Sequence, residues 1–169
     1  MRVAPEVIAG FCRVRSRDLF QPREGDLAAL DPVKILWAFA GVESSFGLQS
    51  NPRHENGYCY NGRYFDAMLT DKWGCLAHCS YGPWQVMFTN FPPGVSPIPL
   101  LPMADGHVAS DMSAMACVSL LNRALARGAK TVVDLVTYYN GPANVPEYAK
   151  KFLASYDRPM PQYADPVLA

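Results

Sequence analysis

The sequence predicts a single α+β domain, mainly helical, with two buried helices and one small β hairpin. Three observations predict it. Ile35 to Val42 runs without a polar residue, and a helix apolar all round in a chain with no membrane span belongs in the core. Ala114 to Ala126 is nearly continuous in small and apolar residues, which makes a second buried helix. Between them, Asn61-Gly62 separates Tyr58-Cys59-Tyr60 from Arg63-Tyr64-Phe65. Asn-Gly favours the type I′ turn that matches strand twist, so these residues read as a hairpin.

Taken in order, Ala4 to about Arg17 is an amphipathic helix, with Val7, Ile8, Phe11 and Val14 at helical spacing. Phe20 to Asp31 connects it to the first buried helix, where Asp31 is a good N-cap, Pro32 suits the first turn and Gly47 can end the helix. The hairpin lies within Gln49 to Trp73. Ser80 to Phe91 holds a Gly-Pro turn and a Trp-Gln-Val-Met run. Phe91 to Pro102 carries five prolines and is a loop. Asp105 can cap the second buried helix, which runs to about Arg127 and closes at Gly128. Thr131 to Tyr139 is a further helix, and Asn144 caps the last, with Tyr148, Phe152 and Leu153 on its inner face. Residues 159–169 are a tail. No repeat or boundary divides residues 1–169.

Composition excludes several function classes. Fifteen basic residues balance fifteen acidic ones, so no large field attracts phosphate and no nucleic-acid partner is expected. No apolar run reaches the ~18 residues needed to span a bilayer, and MRVAPEVIAGF lacks the apolar centre of a signal peptide. The five cysteines leave at least one unpaired within a monomer. Cys12 and Cys117 read as buried thiols. Cys59, Cys75, His78 and Cys79 cluster in sequence, but C-x3-C spacing with one further cysteine nearby is a poor match to zinc ligation, and a disulfide involving Cys59 fits the spacing somewhat better. No metal or cofactor is expected.

Glu43 follows the apolar run at once. A carboxylate at the C-terminal end of a buried helix is desolvated and faces the negative end of the helix dipole, and both raise its pKa. A carboxyl group still protonated near neutral pH can act as a general acid. Glycoside cleavage uses such an acid with a second group at the oxocarbenium-like centre, and Tyr58, Tyr60, Tyr64, Trp73, Tyr81, Trp84 and Gln85 are available to hold sugars, although aromatics also serve as core.

Four segments in order resemble the lysozyme-like superfamily, lytic transglycosylases and goose-type lysozymes in particular. Glu43-Ser44-Ser45-Phe46 is similar to the family's Glu-Ser motif, and Gly82-Pro83-Trp84-Gln85-Val86-Met87 to its Gly-Leu-Met-Gln segment. The buried helix around Met115 to Ala126 matches the central scaffold helix. Tyr138-Tyr139-Asn140-Gly141-Pro142, with Tyr148 downstream, resembles the Ala-Tyr-Asn-Ala-Gly motif. The resemblance covers about residues 31–156. It implies a lysozyme-like fold with a small β lobe beside the groove, Glu43 as general acid, and Tyr139 against the Glu43 carboxyl group. Ser44, Gln85 and Asn140 would bind substrate or shape the groove, alongside the aromatic candidates Tyr64, Tyr81 and Trp84. The substrate implied is the β-1,4 bond between N-acetylmuramic acid and N-acetylglucosamine in peptidoglycan glycan strands.

The Glu43 to Gln85 gap is long for a plain transglycosylase, and the Tyr-Asn motif lacks one residue of its Ala-Gly pair. A hydrolase needs a second carboxylate, for which Asp66 is the first candidate, Glu55 the second and Asp71 the third, while Asp66 could equally be a hairpin-end cap. The expected protein is a monomeric endolysin-type muramidase, made in the cytoplasm and acting on the cell wall. A lytic transglycosylase is the alternative. A Cys-His hydrolase using Cys75 or Cys79, and a non-catalytic peptidoglycan- or chitin-binding module, are the rivals of a different class.

Overall fold

A computed structural model describes residues 1–19, 23–101 and 106–162. It is mainly helical with a small antiparallel sheet. Helix α1 (Pro5–Arg15) buries Ile8, Ala9, Phe11 and Cys12. Helix α2 (Pro32–Ser44) starts where the Asp31 side chain accepts a hydrogen bond from the Val33 N–H at 2.8 Å. Its residues Ile35 to Ala40 are all buried, as an all-round apolar helix must be. The end of α2 is sharper than a lone Gly47 would give. Ser45, Phe46 and Gly47 all have positive φ, and the Phe46 N–H reaches back to the Ala40 carbonyl at 3.1 Å, the long-range bond of a Schellman-type cap. Gly41 permits this, because a Cβ there would lie 2.6 Å from the Phe46 ring.

The sheet is β1 (Arg53–His54), β2 (Cys79–Tyr81) and β3 (Val86–Met87) in that order, with Arg53 opposite Ser80 and Ser80 opposite Met87. The hairpin is therefore β2–β3, not residues 58–65. Asn61-Gly62 does turn the chain, with Asn61 at φ 68°. Its flanks do not pair as strands, because Asn56 to Tyr58 forms a 3-10 turn that folds the segment back and lets the Tyr64 N–H reach the Gly57 carbonyl at 3.0 Å. Asp66 begins a helix rather than ending a strand. It caps α3 (Ala67–Trp73), accepting from the Leu69 N–H at 3.0 Å.

Helix α4 (Gly106–Ala126) lines up Ala109, Ser113, Ala116, Cys117 and Leu121 as a buried stripe. The expected cap Asp105 lies outside the described residues, as does the start of the connector at Phe20. Thr131 and Asp134 form a reciprocal capping box at the start of α5 (Val132–Asn140). Helix α6 (Val145–Asp157) packs on α2. Asn144 occupies its N-cap position but in a left-handed conformation with no side-chain cap bond, and Leu153 points outward while Tyr148, Ala149 and Phe152 are buried. The tail is expected from Pro159, and residues 163–169 of it lie outside the described residues. No described helix is long and apolar enough to cross a membrane.

Candidate active-site groove

Phe39 is the pivot on which α2, α5 and α6 meet. It is fully buried, stacks on Tyr139 of α5 at 4.3 Å between ring centroids, and meets Phe152 of α6 edge-on at 5.0 Å. Glu43 lies one turn further along the same face of α2, since residues i and i+4 share a face. That turn carries its carboxyl group out of the aromatic core and onto the floor of a groove of about 460 Å³. Glu43 is the one carboxyl group in the groove that the core itself presents.

The groove is polar and aromatic. Arg53, Glu55, Tyr58 and Tyr64 form one wall, Gln85, Met87 and Asn90 follow the β3 side, and Leu120, Arg127, Tyr138, Tyr139 and Asn140 form the other wall. The Glu43 side chain is only 8% exposed. Burial pushes its pKa up to about 7, partly offset by a hydrogen bond from Tyr148 and the charge of Arg53. The Tyr148 hydroxyl donates to Glu43 Oε1, and Arg53 stands 3.8 Å from Glu43 Oε2. Arg53 also holds Glu55, with Nε donating to Oε1 at 2.6 Å, and Ser80 Oγ lies 3.1 Å from the same oxygen. One guanidinium thus sits between two carboxyl groups, one desolvated and one at the rim.

Several expected residues take other roles. Tyr139 lies beside the site, and burial raises its pKa, but its hydroxyl donates to the Trp84 carbonyl; Tyr148 makes the contact with Glu43. Ser44 is buried, accepts from the Gly47 N–H at 2.9 Å and donates to the Ala40 carbonyl at 3.1 Å, so it caps α2 instead of meeting substrate. Trp84 and Tyr81 are core residues. Trp84 donates its indole N–H to the Leu36 carbonyl at 2.9 Å and Tyr81 its hydroxyl to the Leu76 carbonyl at 2.7 Å. Asp66 is spent on the α3 cap and does not line the groove.

Tyr64, Gln85 and Asn140 do line it. Gln85 is fixed by the β2–β3 turn. Its Nε2 donates to the Gly82 and Asn51 carbonyls at 2.8 and 3.1 Å, and its Oε1 accepts from Ser80 at 3.0 Å. Gly82, at φ 69°, makes that turn possible, because a Cβ would lie 2.3 Å from Ser113 Oγ.

Among family models, curated proteins and solved structures, the chain has no match. The chemistry of the groove therefore rests on its own geometry. Arg53 is a site residue that the sequence alone does not single out, and Tyr148, which the motif resemblance includes only as a downstream tyrosine, takes the Glu43 contact expected of Tyr139. Arg53 has a local signal, since Arg and Glu two apart in an extended segment share a face. The five cysteines are free, so no disulfide involves Cys59. Cys79 donates to the Cys75 carbonyl at 3.6 Å, and burial raises its thiol pKa, the opposite of what a cysteine nucleophile needs.

Proposed function

We propose that the chain is a lysozyme-like glycosidase of peptidoglycan that cleaves the β-1,4 bond between N-acetylmuramic acid and N-acetylglucosamine, with Glu43 as general acid. The observation that carries this reading is the Glu43 carboxyl group, raised to about 7 by burial on the floor of an open groove with tyrosines and amides along its walls. Half of such groups hold their proton at neutral pH, where an ordinary glutamic acid is ionised. Glu43 would give that proton to the glycosidic oxygen as the bond breaks. The carboxylate left behind would be met by the Tyr148 hydroxyl and the Arg53 charge, so the two groups that oppose its protonation at rest stabilise the product of proton transfer. The motif resemblance around Glu43, Gln85 and Asn140 supports the same assignment.

In a hydrolase, Glu55 would be the second carboxylate, since Glu43 and Glu55 are the acidic residues among those lining the groove. It would take a proton from the attacking water, which an inverting enzyme requires across a carboxyl separation of about 6.5–9.5 Å. One observation favours the transglycosylase alternative: Glu55 Oε1 already accepts from Arg53 at 2.6 Å. In that case the muramic acid's own hydroxyl attacks and Glu43 alone suffices.

Mass spectrometry of the products from purified peptidoglycan decides. The expected result is reducing muramic ends, with Glu55→Gln losing about 10²–10⁴-fold in rate. Products lighter by one water, still formed by Glu55→Gln, would assign the transglycosylase; no cleavage by the folded native chain would sink both. Asp66→Ala is expected to keep its cleavage rate and to cost about 1 kcal/mol in a denaturant melt, the loss of a helix cap.

A further inference from the structure

Behind the Glu55 wall of the groove lies a second cluster that the glycosidase reading leaves unused. His54, Cys59 and His78 each offer a ligand atom, and these atoms lie within 4.8 Å of one another. They come from three separate places: His54 from β1, Cys59 from the turn after Asn56–Tyr58, and His78 from the segment leading into β2. His54 and Cys59 are five residues apart across one turn, and His78 joins them from 19 residues further along the chain. The β1–β2 register does part of the work by pairing His54 with Cys79, next to His78. The turns of residues 56–65 then bring Cys59 back over them.

We propose that His54, Cys59 and His78 form a zinc-binding site that fastens the groove wall to the sheet. One thiolate and two imidazoles are a typical borderline-soft donor set for Zn²⁺. With Zn–S near 2.3 Å and Zn–N near 2.0–2.1 Å at a tetrahedral angle, sulfur and nitrogen ligands stand about 3.5 Å apart. Cys59 Sγ stands 3.4 Å from His54 Nε2. The separations in the cluster reach no more than 4.8 Å, at most about 1.3 Å beyond the tetrahedral value, a gap that rotation of the partly exposed Cys59 and exposed His54 side chains can close.

The third ligand is prepared by its neighbours. His78 is buried and its Nε2 lies 3.0 Å from Thr70 Oγ1. The Thr70 hydroxyl gives its own hydrogen to the Asp66 carbonyl at 2.6 Å. It can then only accept from His78, which places the ring hydrogen on Nε2 and leaves the lone pair on Nδ1. An outer partner that fixes the tautomer of a ligating histidine is a recurring feature of metal sites. Three protein ligands leave the fourth position to water. The residues between and beside the ligands, Arg53, Glu55, Tyr58 and Tyr64, are those that line the groove. A bound ion would thus hold that wall in place without touching substrate.

The test uses the full chain with its thiols reduced and reads metal directly, so it stands or falls separately from glycan cleavage. Titration with Zn²⁺ is expected to reach one equivalent and to raise the melting temperature. Titration with Co²⁺ is expected to give the thiolate-to-cobalt charge-transfer absorption of a four-coordinate site. Cys59→Ser should abolish that band, His54→Ala should weaken binding strongly, and Cys75→Ser should leave both unchanged. Thr70→Val tests the prepared histidine without deleting a buried ring, and should keep the band while weakening affinity by about 10–100-fold. No charge-transfer band in the native chain, a band that survives Cys59→Ser, or a band lost in Cys75→Ser would each overturn the site.

Discussion

Glu43→Gln is expected to abolish glycan cleavage and to make the protein more stable above neutral pH. The loss of rate follows from the proton: a glutamine of the same shape can accept from Tyr148 but cannot protonate the leaving oxygen, and loss of general acid catalysis costs about 10²–10⁴-fold. The gain in stability follows from linkage. The Glu43 pKa is raised from the 4.5 of an unperturbed glutamic acid to about 7 in the folded chain. The folded state therefore holds this proton more tightly than the unfolded state does. Its contribution is fully present below about pH 4.5 and is lost as pH rises through about 7. Above that window the native chain carries a buried charge whose cost is on the order of 3 kcal/mol, from the size of the shift. Glutamine has no charge to bury. Thermal melts of the two proteins should coincide near pH 4 and separate in favour of the variant at pH 8 and above. A folded Glu43→Gln protein with full cleavage would remove Glu43 from the mechanism. Melting curves that stay superimposed at alkaline pH would show that the carboxyl group is not desolvated. The same proton predicts native activity that falls as pH rises through about 7.

The features legible in the sequence are those that a short stretch fixes by itself. The apolar run Ile35 to Val42 and the Asp31 cap specify α2, and with them the place of Glu43 at its end. Features that depend on how distant elements cross are not legible. Tyr139 and Tyr148 both belong to helices that close on Phe39, and the crossing of α5 and α6 over α2 decides which hydroxyl reaches Glu43. The motif around Tyr139 carries no information about that. The Asn61-Gly62 turn is readable, but strand pairing needs a partner, and Arg53 pairs with Ser80, far along the chain. Trp84 and Tyr81 show the ambiguity of aromatics. Each satisfies its polar atom on a backbone carbonyl inside the core, so each can be buried whole. Asp66 has a legible signal, because an aspartate ahead of Ala-Met-Leu is a helix N-cap pattern. The hairpin reading of the residues before it hides that.

Phe39→Ala should show that the core, and not the groove wall, sets the acidity of Glu43. Phe39 is fully buried between α2, α5 and α6, and truncating a buried phenylalanine costs about 3–5 kcal/mol, read as a lower midpoint in urea. The cavity would lie one turn below Glu43, under Tyr139 and near Tyr148. Burial is the largest cause of the raised Glu43 pKa, so slackening that floor admits water and lets the pKa fall toward that of an ordinary glutamic acid. The alkaline limb of activity should therefore move to lower pH. Phe39→Leu refills most of the space and loses chiefly the aromatic contacts, worth about 0.5–1.5 kcal/mol. It should keep its alkaline limb close to the native position. A folded Phe39→Ala protein with an unmoved limb would instead place the source of desolvation on the wall that carries Arg53 and Glu55. The two variants together separate a structural phenylalanine, which would change only the unfolding midpoint, from one that also tunes the acid above it.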